Sequence, residues 1–160
     1  MSVASLLLTT RGIRKMKISV SVVEDEASLK KVFDIREEVF VVGQNVSREE
    51  EFDEFEDTSV HFLATDEEGT PLGTARWREA KDGIKLERFA VLGLARGKGV
   101  GTLLVAAALK DIESRKGRGN LLYMHAQLTD VPLYKKFDFE EVGEQFLECD
   151  IWHVTMQKQI

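Results

Sequence analysis

The sequence predicts an α/β domain of the α+β kind: a mixed, mostly antiparallel twisted sheet of six to seven strands with flanking helices and a parallel pair at strands four and five. Three observations carry this. Short apolar-alternating segments recur between turn residues, the mark of half-buried strands. A run of good helix formers, Thr102 to Lys110, separates the fourth segment from the fifth, and a whole helix between consecutive strands makes them parallel. Between that strand and helix lies Arg96-Gly97-Lys98-Gly99-Val100-Gly101-Thr102, three glycines in five positions at the start of a helix that glycine would otherwise weaken.

Lys17 to Val23 alternates and carries Ile18, Val20, Val22 and Val23, so it reads as the first strand. Leu29, Val32, Phe33, Arg36, Val39 and Phe40 recur at three- and four-residue spacing behind Asp25 and Glu26, which predicts a helix with one buried face. Ser47 to Asp57 predicts a second, acidic helix, with Ser47 and Glu50 as a capping box, Phe52 and Phe55 inward and most acids outward. Ser59 to Thr65, Pro71 to Trp77 and Lys85 to Val91 read as an antiparallel meander joined by turns at Asp66-Glu67-Glu68-Gly69 and Lys81-Asp82-Gly83. Gly117 and Gly119 end the long helix, and Leu121 to Gln127 is the strand parallel to its predecessor. Asp130 is positioned to cap a short helix, Val131 to Phe137, with Pro132 in its first turn. Glu140 to Phe146 and Ile151 to Gln157 close the sheet.

The chain has 160 residues and is 43% hydrophobic, which suits one compact domain with a real core. Residues 1–16 stand apart from the pattern as a leader, disordered or not native, leaving 17–160 as the domain. The leader's apolar run is too short for a secretory or membrane segment, and its charges follow that run instead of preceding it. The net charge of -6 argues against a chain built to neutralise nucleic-acid phosphates, so neither nucleic acid nor membrane is expected as a partner. Cys149 is the sole cysteine, which excludes an internal disulfide, fits a cytoplasmic setting and gives no Cys/His spacing for a metal.

The glycine-rich stretch reads as a pyrophosphate grip. Glycines at 97, 99 and 101 let a ligand approach successive backbone N–H groups, and the first turn of a helix supplies unpaired N–H groups at the positive end of its dipole. Arg96 and Lys98 add positive charge. A triphosphatase P-loop is excluded because Leu92 and Gly99 stand where it needs glycine and a hydroxyl residue. A dinucleotide fingerprint is excluded because Thr102 occupies its third glycine position and no acid follows at the required distance. Arg96-x-x-Gly99-x-Gly101 remains, and it resembles the loop by which acetyl-CoA-dependent N-acyltransferases of the GNAT superfamily hold CoA. The element order after Met16 is similar to that fold throughout.

Within the superfamily the chain most resembles the small ElaA-like branch. Arg36-x-x-Val39-Phe40-Val41-x-x-Gln44, Ala126-Gln127 with Leu133-Tyr134, and Ile151-Trp152-His153 match that branch's motifs, while Gly43, Trp152 and Asp138 depart from its Glu, Pro and Gly. The resemblance implies acetyl transfer from acetyl-CoA, with no metal, to a small-molecule or peptide amine. In that reading a bulge parts strands four and five, and Phe89-Ala90-Val91 bonds the pantetheine chain like an added strand. A backbone N–H there holds the oxyanion, Arg96, Gly97, Lys98, Gly99, Val100, Gly101 and Thr102 grip the pyrophosphate, and Tyr134 protonates the leaving thiolate. Glu87, His125 and His153 are all candidates for the base, with Glu87 and His125 carried alongside Tyr134 as catalytic. Gln44, Asn45 and Gln127 are the candidate acceptor contacts. The acids of 48–57 are either a solvated face or a lure for a protonated amine. An inactive acyl-CoA sensor and a homodimer both stay open.

Overall fold

The computed structural model describes residues 16–160, so the leader expectation falls, apart from Met16, outside the described residues. β1 (Ser19–Val22), β2 (Val60–Thr65), β3 (Pro71–Ala80), β4 (Gly83–Val91), β5 (Leu121–Gln127), β6 (Glu140–Glu148) and β7 (Ile151–Gln159) form one sheet in the order β1-β2-β3-β4-β5-β7-β6. Neighbours pair antiparallel except β4 and β5, which run parallel. α1 (Glu26–Arg36) and the short α2 (Arg48–Glu51) precede the meander, α3 (Val100–Lys116) joins β4 to β5, and α4 (Val131–Lys135) follows β5.

Strand alternation divides the core into two. Phe62, Leu86 and Leu122 pack with Leu104 and Ile112 of α3 on one face, while Leu63 and Ala90 meet Val32, Ile35, Val39 and Phe40 on the other. α3 opens on Gly99, at φ 86°, and closes on Gly117, at φ 71°, both left-handed conformations that glycine adopts without a Cβ penalty. Gly73 has a different constraint: a Cβ there would lie 2.8 Å from the Ala90 carbonyl oxygen and 2.9 Å from Val100, so it lets β4 and α3 close on β3.

Three expectations need correction. The first helix does not stay regular: Glu37–Val42 is a π-helical turn, which rotates the chain so that Phe40 and Gln44 face the sheet. The acidic helix is only four residues long, and its region divides its acids: Glu49, Glu50, Glu54 and Asp57 are exposed, as expected of most of them. Glu51, Asp53 and Glu56 point inward to arginines, while Phe52 and Phe55 lie under the guanidinium groups of Arg36 and Arg78 at 5.0 and 3.8 Å. The sequence had no local signal for this, since the partners are 15 to 37 positions away. Finally, Asp130 stands at the N-cap of α4 but its side chain makes no capping bond. Ser47, by contrast, does accept from the Glu50 N–H, and Asp138 adopts the left-handed φ of 65° expected of a glycine substitute.

Candidate active site

The cleft begins where the parallel pair comes apart. β4 and β5 pair only at Ile84 with Leu122 and Lys85 with Tyr123. Beyond that point a bulge enters β4: Thr74 to Arg76 on β3 spans Ala90 to Glu87 on β4, one residue more, and Arg88 takes the left-handed φ of 59°. The bulge bends β4 away from β5. Its unusual conformation is held from outside, because Arg88 reaches the Glu51 carbonyl at 3.3 Å and the Asp53 carboxylate at 3.2 Å.

Opposed strands thus line a cavity of about 160 Å³. Tyr134, Glu87, His125, Gln127 and Gln44, far apart in the chain, all come together on its walls with Phe89. Asn45 does not: exposed, at φ 56°, it ends the first helical segment, and the Val46 N–H behind it closes on the Phe40 carbonyl at 3.0 Å. Ala90, Val91 and the loop 96–102 lie beyond the cavity, where β4 runs out and α3 begins. In that loop Gly97 and Gly99 have φ of 74° and 86° with open space around them. Gly101 has an ordinary helical φ, and a Cβ there would meet Leu133 at 3.3 Å. Arg96 Nε donates to the Val91 carbonyl at 3.3 Å, tying the loop to the end of β4. The Val100, Gly101 and Thr102 N–H groups of the first turn have no partner within α3.

Tyr134 is 4% exposed, with Phe89 and Phe139 against its ring at 5.6 and 6.4 Å. Burial, with the Asp130 charge added, pushes its phenol well above the ordinary tyrosine value, so it is a proton donor at neutral pH. Glu87 is differently placed: Arg76 Nη2 donates to one oxygen at 2.9 Å and Arg78 Nε to the other at 2.7 Å. Burial alone would raise its carboxyl, but the charges of Arg76, Lys85 and Arg88 outweigh that and hold it below its usual range. Gln44 and Gln127 bond to each other through both amides, at 3.3 and 2.9 Å. Partial burial and the Glu50 carboxylate push the Cys149 thiol up to about 11. Among the described residues no group of three His, Cys, Asp or Glu side chains is arranged to hold a metal ion.

Residues 23–160 match the acetyltransferase (GNAT) domain family. The chain belongs to that family. It is 42% identical over 139 residues, 86% of this chain and 96% of the relative, to a Bacillus subtilis protein named uncharacterized N-acetyltransferase YjcF. Among solved structures it is similar to an acyl-CoA N-acyltransferase from Pseudomonas aeruginosa, at 25% identity and a TM-score of 0.76, covering 89% of this chain and 99% of that one. The fold is also shared with Escherichia coli ElaA, at 22% identity and a TM-score of 0.78, covering 90% and 99%. This GNAT protein is an acyltransferase that takes an acyl-CoA as cosubstrate.

Sequence reasoning missed Glu148 and the buried arginine cluster beside β4. Glu148 ends β6, where a charge at a strand end reads as solvent-facing, and only the β6–β7 register turns it toward His125 and His153. For the cluster one signal existed: Arg36 falls within an apolar helical period, and it is fully buried.

A valine at position 99 would force a β-branched residue into the left-handed region and crowd the first-turn N–H groups. Gly99→Val is expected to weaken CoA binding by tenfold or more, because the left-handed conformation costs valine about 1–2 kcal/mol and the free loop relaxes out of it. Calorimetric titration with CoA measures it, and circular dichroism should show the fold retained.

Proposed function

We propose that this GNAT protein moves an acetyl group from acetyl-CoA to a primary amine by direct attack. The observation that carries the reading is the parting of β4 from β5 beyond Lys85 and Tyr123, which frees the Phe89-Ala90-Val91 backbone to bond a pantetheine chain. The loop 96–102 grips the pyrophosphate with its unpaired N–H groups, and an N–H of the bulge polarises the thioester carbonyl. The acetyl carbon then lies beside Tyr134, whose proton goes to the departing sulfur.

Glu87 fits the role of base poorly, because both oxygens are already bonded to guanidinium groups and its carboxyl is held low. It acts instead as a strut joining β3 to β4 next to the bulge. Gln44 and Gln127, half-buried on the cleft wall, are suited to orient the acceptor. The inward turn of Glu51, Asp53 and Glu56 weakens the idea of an acidic lure, since those charges are neutralised by Arg36, Arg76 and Arg88.

A screen of primary amines with acetyl-CoA, read as released thiol, tests the function. Turnover on an amine is the expected result; tight CoA binding with no turnover on any amine would favour a sensor. Cys149→Ser should keep full activity, because a thiol raised to about 11 is not a nucleophile near neutral pH and direct attack needs no acyl-enzyme. Steady-state kinetics of thiol release checks this, and a loss of more than tenfold would point to a covalent route.

A further inference from the structure

In the cleft one carboxylate stands between two imidazoles. Glu148 Oε1 is 3.5 Å from His125 Nδ1, and its Oε2 is 3.8 Å from His153 Nε2. The register explains the meeting: Gln127 faces His153 across β5 and β7, Phe146 faces His153 across β6 and β7, and alternation brings Glu148 to the face of Phe146. The Phe146 ring stacks on His153 at 5.9 Å and meets His125 edge-on at 5.1 Å, holding both imidazoles.

His153 has its tautomer fixed. Its Nδ1 lies 2.6 Å from the Ile151 carbonyl oxygen, and a carbonyl only accepts, so Nδ1 carries the hydrogen. The neutral ring therefore turns a lone pair at Nε2 toward Glu148. Two acceptors then face each other across 3.8 Å, too far for a direct hydrogen bond and suited to a bridging donor. A nitrogen about 2.9 Å from each atom completes the triangle. His125 Nδ1, buried and without a hydrogen bond among the described residues, points to the other oxygen of Glu148.

We infer that Glu148 docks the acceptor's ammonium group and that His153 Nε2 takes its proton, with His125 as a positioning residue for the Glu148 carboxylate. The inference rests on the acetyltransferase reading. The ammonium gives one proton to Nε2; the freed nitrogen pair forms the C–N bond, and the C–S pair leaves with sulfur, which takes the Tyr134 proton. The second proton of the attacking nitrogen returns to Tyr134 through cleft water, and the proton on His153 passes to solvent, so one proton is released per acetyl transferred. Glu148 stays ionised: the neighbouring His125 imidazole lowers its carboxyl, burial opposes, and the Lys85 charge lowers it further. The other charged groups lining the cavity are Glu50 and Glu51 from α2, Glu87 and Arg88 from β4 and Asp130 after β5. Asp130 lies within electrostatic reach of both His153 and Tyr134.

The test uses benzylamine as the probe, benzyl alcohol as its uncharged counterpart, and the variants Glu148→Gln and His153→Asn. In ¹⁵N-histidine NMR of the whole protein, His153 should be the Nδ1–H tautomer. Its Nε2 signal should move on adding benzylammonium, stay still with benzyl alcohol, and lose the response in Glu148→Gln. In thiol-release assays with acetyl-CoA, Glu148→Gln should raise the KM for benzylamine about tenfold, as loss of a charge-assisted hydrogen bond does. His153→Asn, which keeps a donor for the Ile151 carbonyl, should lower kcat on the order of 10²-fold and remove the rise of kcat/KM with pH that an imidazole base produces. An Nε2–H tautomer, an Nε2 signal indifferent to benzylammonium, or variants that match the wild type in KM and pH profile would overturn the inference. Failure of the acetyltransferase reading looks different: wild-type protein that binds acetyl-CoA yet releases no thiol with any amine.

Discussion

Tyr134→Phe is expected to lower kcat on the order of 10²-fold or more while leaving the Kd for CoA unchanged. The hydroxyl makes no hydrogen bond to protein among the described residues, and the ring is packed by Phe89 and Phe139. Phenylalanine keeps that packing and removes only the O–H. The variant should therefore be about as stable as the parent, because the ring packing is unchanged. Burial raises the phenol, so the proton is present throughout the neutral range, and sulfur leaving as thiolate is the group that needs it. Single-turnover measurement of thiol release separates this step from binding. A Phe variant with full kcat would reduce Tyr134 to a packing residue.

Arg76→Ala should destabilise the fold by about 3–5 kcal/mol, the range for breaking a buried ion pair from one side. Arg76 is fully buried, and its guanidinium holds Asp53 at 2.7 Å, Glu56 at 2.5 Å and Glu87 at 2.9 Å. Removing it leaves three carboxylates in a poorly hydrated layer with Arg36, Arg78 and Arg88 as the remaining cations. For a domain whose total stability is about 5–15 kcal/mol, that loss is a large fraction. Urea unfolding measures it. Arg76→Lys should recover only part, because an ammonium cannot fork to several carboxylates. Acid has a related effect. Burial would raise Asp53 and Glu87, but their bonds and proximity to arginines hold both below the unfolded values. The unfolded chain then binds more protons in the range just below ordinary carboxylate values, so stability present above that range is lost as pH falls through it. Glu51 contributes with the opposite sign, since burial outweighs the pull of Arg88 and Arg36 and raises its carboxyl. The acid sensitivity of Arg76→Ala should accordingly be flatter than that of the parent.

The arginine layer also connects stability to the site. Arg88 occupies the strained position of the β4 bulge and is bonded to the Glu51 carbonyl and to Asp53, while Glu87 beside it is bonded to Arg76 and Arg78. The gap between β4 and β5 is thus held from the α1 side of the sheet by charges that perform none of the proposed chemistry. This gives the acid at Glu87 a structural role in the cleft.

What the sequence determined by itself was whatever local periodicity and local backbone chemistry dictate. Alternation marked the strands, and the glycines of 97–101 marked a helix start with accessible N–H groups. The helix-length connection made β4 and β5 parallel, and Pro132 and Asp138 marked the two ends of α4. These signals lie within a few residues of what they specify. Tertiary structure alone decided which charges meet. Glu51, Asp53 and Glu56 look like a solvated face because an acid's partner is not written next to it; Arg36 and Arg76 reach them only after α1 packs on β2 and β3. Glu148 becomes part of the cleft because β6 pairs with β7 in a register where a one-residue slip would turn it to the opposite face. Asn45, suggested as an acceptor contact by its nearness to Gln44, is a helix terminator, since adjacent residues at a left-handed turn point in different directions. Burial and register are properties of the whole sheet, and they brought the side chains of the cleft together.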